Sequence, residues 1–241
     1  MYSEKKPKGS LFLIPSGLGG EQPDWIWPGL NYKVVSELSV FIVEDLRTAR
    51  RFLRQMGYKR DFEKVKFFLL NKHTAAEELD DFLSPALQGD NVGLLSEAGC
   101  PGIADPGQVV VKIAHSKGIR VIPMVGPSSV FLALMASGFN GQHFLFHGYL
   151  PISKAERIKK MKEIEQQAYQ QSQTQIFMET PFRNNKMLED LVKNCNPSTM
   201  LCIACDITTS NEWIQTRSIG RWKKEMPDLH KRPGIFLIYK P

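Results

Sequence analysis

Short apolar runs separated by amphipathic stretches dominate the first half of the chain. Residues 11–14, 40–43, 65–70, 92–95 and 119–125 are each too short for a stable helix and are bounded by turn formers, which predicts buried strands. Helical patterns fill the gaps. Residues 47–56 stop at Gly57, and Thr74-Ala75-Ala76-Glu77 has the form of a capping box. Residues 108–117 stop at Gly118, with Asp105 as the expected N-cap and Pro106 in the expected first turn. This alternation predicts an α/β unit: a mostly parallel sheet with helices on both faces.

The second half has another rhythm. Residues 128–137 form an apolar helix pattern ended by Gly138, 144–149 a strand, and 153–172 a long polar helix rich in Lys, Glu and Gln. Residues 175–178, 200–207 and 235–239 read as strands, 181–193 as a helix between the first two, and 213–222 as a strand pair. The mix predicts an α+β domain with a mixed sheet. The expected boundary lies near 123–126, giving domains 1–123 and 124–241, with no internal repeat.

Composition narrows the class. Apolar residues make up 42% of the 241, enough for large cores, and no run approaches the roughly 18 apolar residues of a membrane span. Residues 1–9 are Lys-rich without an apolar stretch of signal-peptide length, so a frayed tail and no export are expected. The four cysteines, Cys100, Cys195, Cys202 and Cys205, lack the spacing of a disulfide scaffold and fit a reducing cytoplasm. Cys202-Ile203-Ala204-Cys205 lies in an apolar strand pattern, where positions three apart face opposite sides, so two buried thiols are expected rather than a metal or redox pair. His143 and His147 would sit about 13 Å apart on a strand. His73, His115 and His230 are isolated, and no metal is expected. The formal charge of +6 favours a polyanionic partner. Two basic clusters stand out, Arg47, Arg50, Arg51 and Arg54, and Lys154, Arg157, Lys159, Lys160 and Lys162; each fits a solvated helix face as well as contact with RNA.

The chemistry points to strand ends. Ser96-Glu97-Ala98-Gly99-Cys100-Pro101-Gly102-Ile103-Ala104-Asp105-Pro106-Gly107 connects a strand to a helix with twelve small or acidic residues, where two to six are usual. Small side chains let a ligand approach the backbone, and helix N-termini offer free amides. Two further strand-to-helix junctions share this form. One is Gly126-Pro127-Ser128-Ser129; the other is Glu179-Thr180-Pro181, with Thr180 the expected N-cap and Pro181 the first helical residue.

These stretches carry a resemblance. The loop at 96–107 resembles the S-D-A-G-T-P-x-I-S-D-P-G loop of the tetrapyrrole methylase superfamily. Glu44-Asp45-Leu46-Arg47 resembles its E-D-T-R, Gly126-Pro127-Ser128-Ser129 its P-G-P-S-A, and Glu179-Thr180-Pro181-Phe182-Arg183 its E-S-P-H-R. The four are collinear over roughly residues 10–238, and the nearest branch is that of the ribosomal RNA 2′-O-ribose cytidine methyltransferases. The absence of G-x-G-x-x-G after the first strand argues against an ordinary dinucleotide fold and against the commonest methyltransferase fold.

The resemblance implies two α/β domains with S-adenosylmethionine (SAM) in the cleft between them, a homodimer, and an RNA substrate methylated at a ribose 2′-hydroxyl. A corrin or porphyrin methyltransferase, and a SAM-binding protein without activity, are the rivals. Cofactor contact carries over to Ser96, Ala98, Gly99, Ile103, Ala104, Ser128, Ser129, Met178, Ala204 and Gly234. The loop that begins at Pro15 faces substrate in related enzymes. Asp45, Arg47, Glu179 and Arg183 are the expected substrate-binding and acid–base residues. The chain departs from the pattern at Leu46, Glu97, Cys100, Ala104, Phe182 and Thr209, and it ends at Pro241 without the C-terminal extension common in that branch.

Overall fold

Five of the short apolar runs line up as one parallel sheet. In the computed structural model, which describes residues 7–19, 26–71 and 74–240, strands β1 (Ser10–Ile14), β2 (Val40–Val43), β3 (Lys66–Leu69), β4 (Val92–Leu95) and β5 (Arg120–Pro123) take the order β3-β2-β4-β1-β5. Every pairing in it is parallel, where the sequence predicts a mostly parallel sheet. Alternate residues feed two cores. Ile14, Phe41, Val43 and Leu95 pack with helices α1 (Gly29–Glu37) and α2 (Leu46–Gln55). Leu11, Val40, Ile42, Val92 and Leu94 pack under α3 (Ala76–Phe82), α4 (Ser84–Leu87) and α5 (Gln108–Ser116). Burial on both faces is why β2 and β4 are apolar throughout.

The second sheet is mixed. Strands β6 (Phe144–Tyr149), β7 (Thr174–Glu179), β8 (Met200–Cys205), β9 (Trp213–Ser218) and β10 (Gly234–Tyr239) take the order β6-β7-β10-β8-β9. Only β6 and β7 run parallel. Helix α6 (Ser129–Ser137) covers one face through Val130, Ala133 and Leu134. Helices α7 (Lys154–Gln171), α8 (Asn184–Asn194) and α9 (Ile219–Trp222) supply the core on the other. Cys202 belongs to the first core and Cys205 to the second, as a spacing of three on a strand requires. Burial pushes the Cys202 thiol up to about 11 and the Cys205 and Cys195 thiols up to about 12.

Contacts divide the chain between Pro127 and Ser128, with Leu18 joined to the second unit. Several expectations need correction. Residues 213–222 form one strand and then a short helix, because Ser218 caps the turn at Arg221 N. The capping box at Thr74 does not form: Ala75 is the N-cap of α3, and the Thr74 hydroxyl donates to Leu69 O and accepts from Asn71 N. Helix α1 lacks an apolar stripe, burying only Asn31 and Val35, and gives no periodic signal in the sequence. The tail at residues 1–6 and His73 lie outside the described residues.

Candidate functional site

In the N-terminal unit the site candidates gather at the carboxyl ends of adjacent strands, where α/β sheets place ligands. Beyond β4, the loop at 96–107 is closed on itself and on its neighbours. The Ser16 hydroxyl donates to Ser96 O, and Ser16 and Gly99 form a two-residue bridge through backbone bonds of 2.9 and 3.2 Å. The Ser96 hydroxyl donates to Gly99 O at 2.9 Å. Gly126 lies so close to Pro15 that a Cβ there would fall 2.3 Å from the proline ring. The Cys100 thiol donates to Pro127 O at 3.4 Å.

Asp105 does not cap α5, whose N-cap is Gly107. Its Oδ1 instead accepts from Gly102 N at 2.8 Å and Gly107 N at 2.7 Å, which draws the carboxylate into the loop. Its Oδ2 is buried with no partner among the described residues. Burial raises the Asp105 pKa despite the two amides. Ala104 holds a left-handed φ of 61°, a conformation a non-glycine residue adopts only under constraint. Ala98, Ile103 and Ala104 are exposed. Among the described residues the amides of Ala98, Cys100, Ala104 and Asp105 meet no acceptor. Unpaired donors and an orphan carboxylate oxygen within one small-residue loop fit a zwitterionic, hydroxyl-bearing ligand, and the carboxylate suits a cationic centre.

The adjoining strand end brings carboxylates together. Glu44 Oε1 accepts from Glu97 N at 3.3 Å, and the Thr48 hydroxyl donates to Glu97 Oε1 at 2.6 Å. Burial first, then the charges of Asp105 and Glu97, raise the Glu44 pKa. Asp45 caps α2, its Oδ1 accepting from Arg47 N and Thr48 N at 2.9 Å each. Those bonds, led by the Thr48 amide, lower its pKa. The Arg47 side chain is exposed. Glu44, Thr48 and Asp105 therefore join the candidate site beside the expected Asp45 and Arg47. Glu44 and Asp105 lie in the two acidic stretches of the sequence, with nothing there to show which carboxylate is buried, and Thr48, just past the first stretch, carries no signal.

In the C-terminal unit, strand register sorts the candidates onto two faces. Met178, Ile235 and Ala204 form one row across β7, β10 and β8, on the face that α6 covers. Ser128 is the N-cap of α6 and Ser129 its first residue. The next row is Glu179, Gly234 and Cys205, and it faces the other way. Glu179 and Arg183 therefore do not share a face with Met178 and Ala204.

Glu179 is almost wholly buried, and a single oxygen, Oε1, accepts from Thr180 N at 2.6 Å and from Arg183 Nε and Nη2 at 3.0 and 2.5 Å. This shapes residues 180–183 into a turn, so α8 begins at Asn184 with Arg183 as N-cap, rather than at Pro181 behind Thr180. Glu179 Oε2 has no bond among the described residues. Asn184, wholly buried and not foreseen from sequence, donates from Nδ2 to Arg232 O at 2.6 Å and holds the Gly234 segment, while its Oδ1 is buried without a partner among the described residues. A Cβ on Gly234 would fall 3.1 Å from Cys205 Sγ and 3.4 Å from Asn184 Nδ2. Asp206, at a φ of 51°, pairs with Arg232 at 2.5 Å.

No protein-family model matches the chain. It is 29% identical over 239 residues to the ribosomal RNA small subunit methyltransferase I of Escherichia coli, covering 98% of this chain and 79% of that protein. The proteins of the same name from Haemophilus influenzae and Vibrio cholerae are each 28% identical, covering 95% and 97% of this chain and 78% of theirs. Among solved structures, the methyltransferase CobJ superposes with a TM-score of 0.62 at 16% identity, covering 96% of this chain and 94% of that one. A uroporphyrin-III-C-methyltransferase from Thermus thermophilus gives 0.55 at 15%, covering 97% and 95%. At such identities the structures establish a shared fold.

Proposed function

We propose that this chain, which is 29% identical to a ribosomal RNA small subunit methyltransferase I and shares its fold with the methyltransferase CobJ, is a SAM-dependent methyltransferase of the tetrapyrrole methylase superfamily acting on a ribose 2′-hydroxyl of small-subunit ribosomal RNA. The observation that carries the cofactor is the loop at 96–107, closed by Ser16, Ser96 and Asp105, in which the amides of Ala98, Cys100, Ala104 and Asp105 meet no acceptor among the described residues. Relatives spanning nearly the whole chain carry the acceptor. The corrin and porphyrin enzymes share the fold at 13–16% identity, which leaves the small-molecule reading second.

SAM supplies an activated methyl group on a sulfonium centre. The proposed contacts are Ser96, Ala98, Gly99, Ile103 and Ala104 in the first unit, and Ser128, Ser129, Met178, Ala204 and Gly234 in the second. The Ser96 hydroxyl is spent on Gly99 O, so Ser96 would act by shaping the loop, and the amides of Ala98 and Ala104 would donate to carboxylate or ribose oxygens. The carboxylates of Glu44 and Asp105 favour a cation beside them. A ribose hydroxyl is a poor nucleophile and benefits from a positioned acceptor. Glu179 Oε2, which has no bond among the described residues, is the oxygen proposed to accept such a proton, with Arg183 holding the carboxylate through Oε1. Asp45 and Arg47 are assigned to substrate. A ribosomal substrate is consistent with the expected cytoplasmic location, the resemblance implies a homodimer, and among the described residues no helix is long and apolar enough to cross a membrane.

The test is calorimetric titration with SAM and its demethylated product, followed by transfer of labelled methyl to small ribosomal subunits. Micromolar binding and label in alkali-resistant dinucleotides are expected, since a 2′-O-methyl group blocks cleavage. A folded protein that binds neither molecule would sink the proposal.

A further inference from the structure

The chain's surplus of positive charge is concentrated in one segment. Residues 46–66 carry eight Lys and Arg against two acids, a surplus of six that equals the net charge of the whole protein. All eight basic side chains are exposed. None of them forms an ion pair among the described residues. Helix α2 contains no acid, so it lacks the i,i+4 pairs that balance an ordinary solvated face. Its Arg47, Arg50, Arg51 and Arg54 fall within an arc of about 100°, a stripe about 10 Å long.

Two of these arginines are held in place. Arg50 lies over the rings of Phe62 and Phe67 at 5.6 and 5.5 Å, and Arg54 over Phe62 at 4.1 Å. Arg54 also donates to Tyr58 O and Arg60 O. A stacked guanidinium loses less freedom when it takes a phosphate. Helix α7 presents the contrast. Its Arg157 is buried against Asp190 at 2.7 Å, and its Lys160 pairs with Glu163. The stripe on α2 starts at the Asp45 cap, beside Glu44 and Glu97, at the rim of the candidate site.

We infer that the exposed basic face formed by α2 and residues 59–64 is a docking surface for the phosphate backbone of RNA. Its position would hold a strand against the strand ends that carry Asp45 and the loop at 96–107. The inference rests on the RNA methylation reading above and adds the surface by which the substrate is held.

The test is fluorescence anisotropy with a labelled transcript of small-subunit ribosomal RNA, titrated at several salt concentrations. Arg51, Lys59 and Lys64 lie outside the catalytic and cofactor assignments. The triple variant Arg51→Gln, Lys59→Gln, Lys64→Gln is expected to bind about tenfold more weakly near physiological salt. Its slope of log affinity against log salt should be shallower by about 2, since each single-strand phosphate contact contributes about 0.7. SAM affinity should be unchanged. The control Lys159→Gln, Lys162→Gln on α7 should leave both RNA quantities as they are. An unchanged slope in the triple variant, or an equal change in the control, overturns this surface and leaves the methylation reading standing. Wild-type binding to acidic phospholipid vesicles as strong as to RNA, with the same loss in the triple variant, overturns RNA as the occupant. RNA binding through this face without methyl transfer supports the surface and overturns the proposed reaction.

Discussion

At the scale of single residues, Asp105 shows how a loop is held at an electrostatic cost. One oxygen satisfies two amides while the other is buried with no partner among the described residues. Its pKa is raised in the folded protein. A raised carboxyl pKa contributes stability that is full below the unfolded value and lost as pH rises through the folded value. Asp105→Asn keeps an acceptor for the Gly102 and Gly107 amides and removes the charge. The melting temperature of the variant relative to wild type is therefore expected to rise between pH 4 and pH 7; a difference constant over that range would refute this account. Gly99 and Gly102, at φ of 73° and 84°, mark the loop's turns in the sequence. Nothing in the sequence shows that Ala104 must share their conformation, because the constraint comes from the bonds of Asp105 and Ser96 around it.

At the scale of elements, Asp45 and Asp190 separate structural from chemical roles. Asp45 caps α2 through two backbone amides. Asp45→Ala should lower the melting temperature, and Asp45→Asn, which still caps, should not. Asparagine that preserves stability but abolishes methyl transfer would assign Asp45 to chemistry; asparagine with full activity would confine it to the cap. Arg157, grouped from sequence with the basic cluster of α7, is a buried anchor: two of its nitrogens donate to Asp190 Oδ2 at 3.1 and 2.7 Å, and Nη1 donates to Pro151 O and Ile152 O. Asp190→Ala leaves that guanidinium buried and unpaired and should cost about 3–5 kcal/mol, read by denaturant unfolding. Periodicity could not find this pair, since Arg157 and Asp190 sit on different helices and burial decides their role.

At the scale of the whole molecule, the two sheets are each covered on both faces, and the thiols report that burial. Cys195, Cys202 and Cys205 are buried with pKa values near 11 to 12, while Cys100 is half-buried at the candidate site. A disulfide exchange reagent at pH 8 should label at most Cys100 in the native protein and all four thiols after denaturation. SAM should protect Cys100 if the loop at 96–107 holds it. Rapid labelling of Cys202 and Cys205 in the native protein would contradict the strand assignment that places them in opposite cores.

The sequence by itself determined the strands of the first sheet, its helices on both faces, the mixed second sheet, and the three strand-to-helix junctions. Each depends on local chain chemistry: apolar runs of strand length, Gly and Pro punctuation, and small residues where the backbone must be approached. Only the tertiary structure decided the strand order β3-β2-β4-β1-β5, which puts the ends of β2, β4 and β1 side by side and lets Thr48, Glu97, Ser16 and Gly99 meet. It also decided that Glu179 faces away from Met178 and Ala204, and that α8 starts late because Glu179 takes the Thr180 amide. These facts depend on partners distant in sequence, and on which of several acids or arginines loses water. Patterns of adjacent residues carry no record of either.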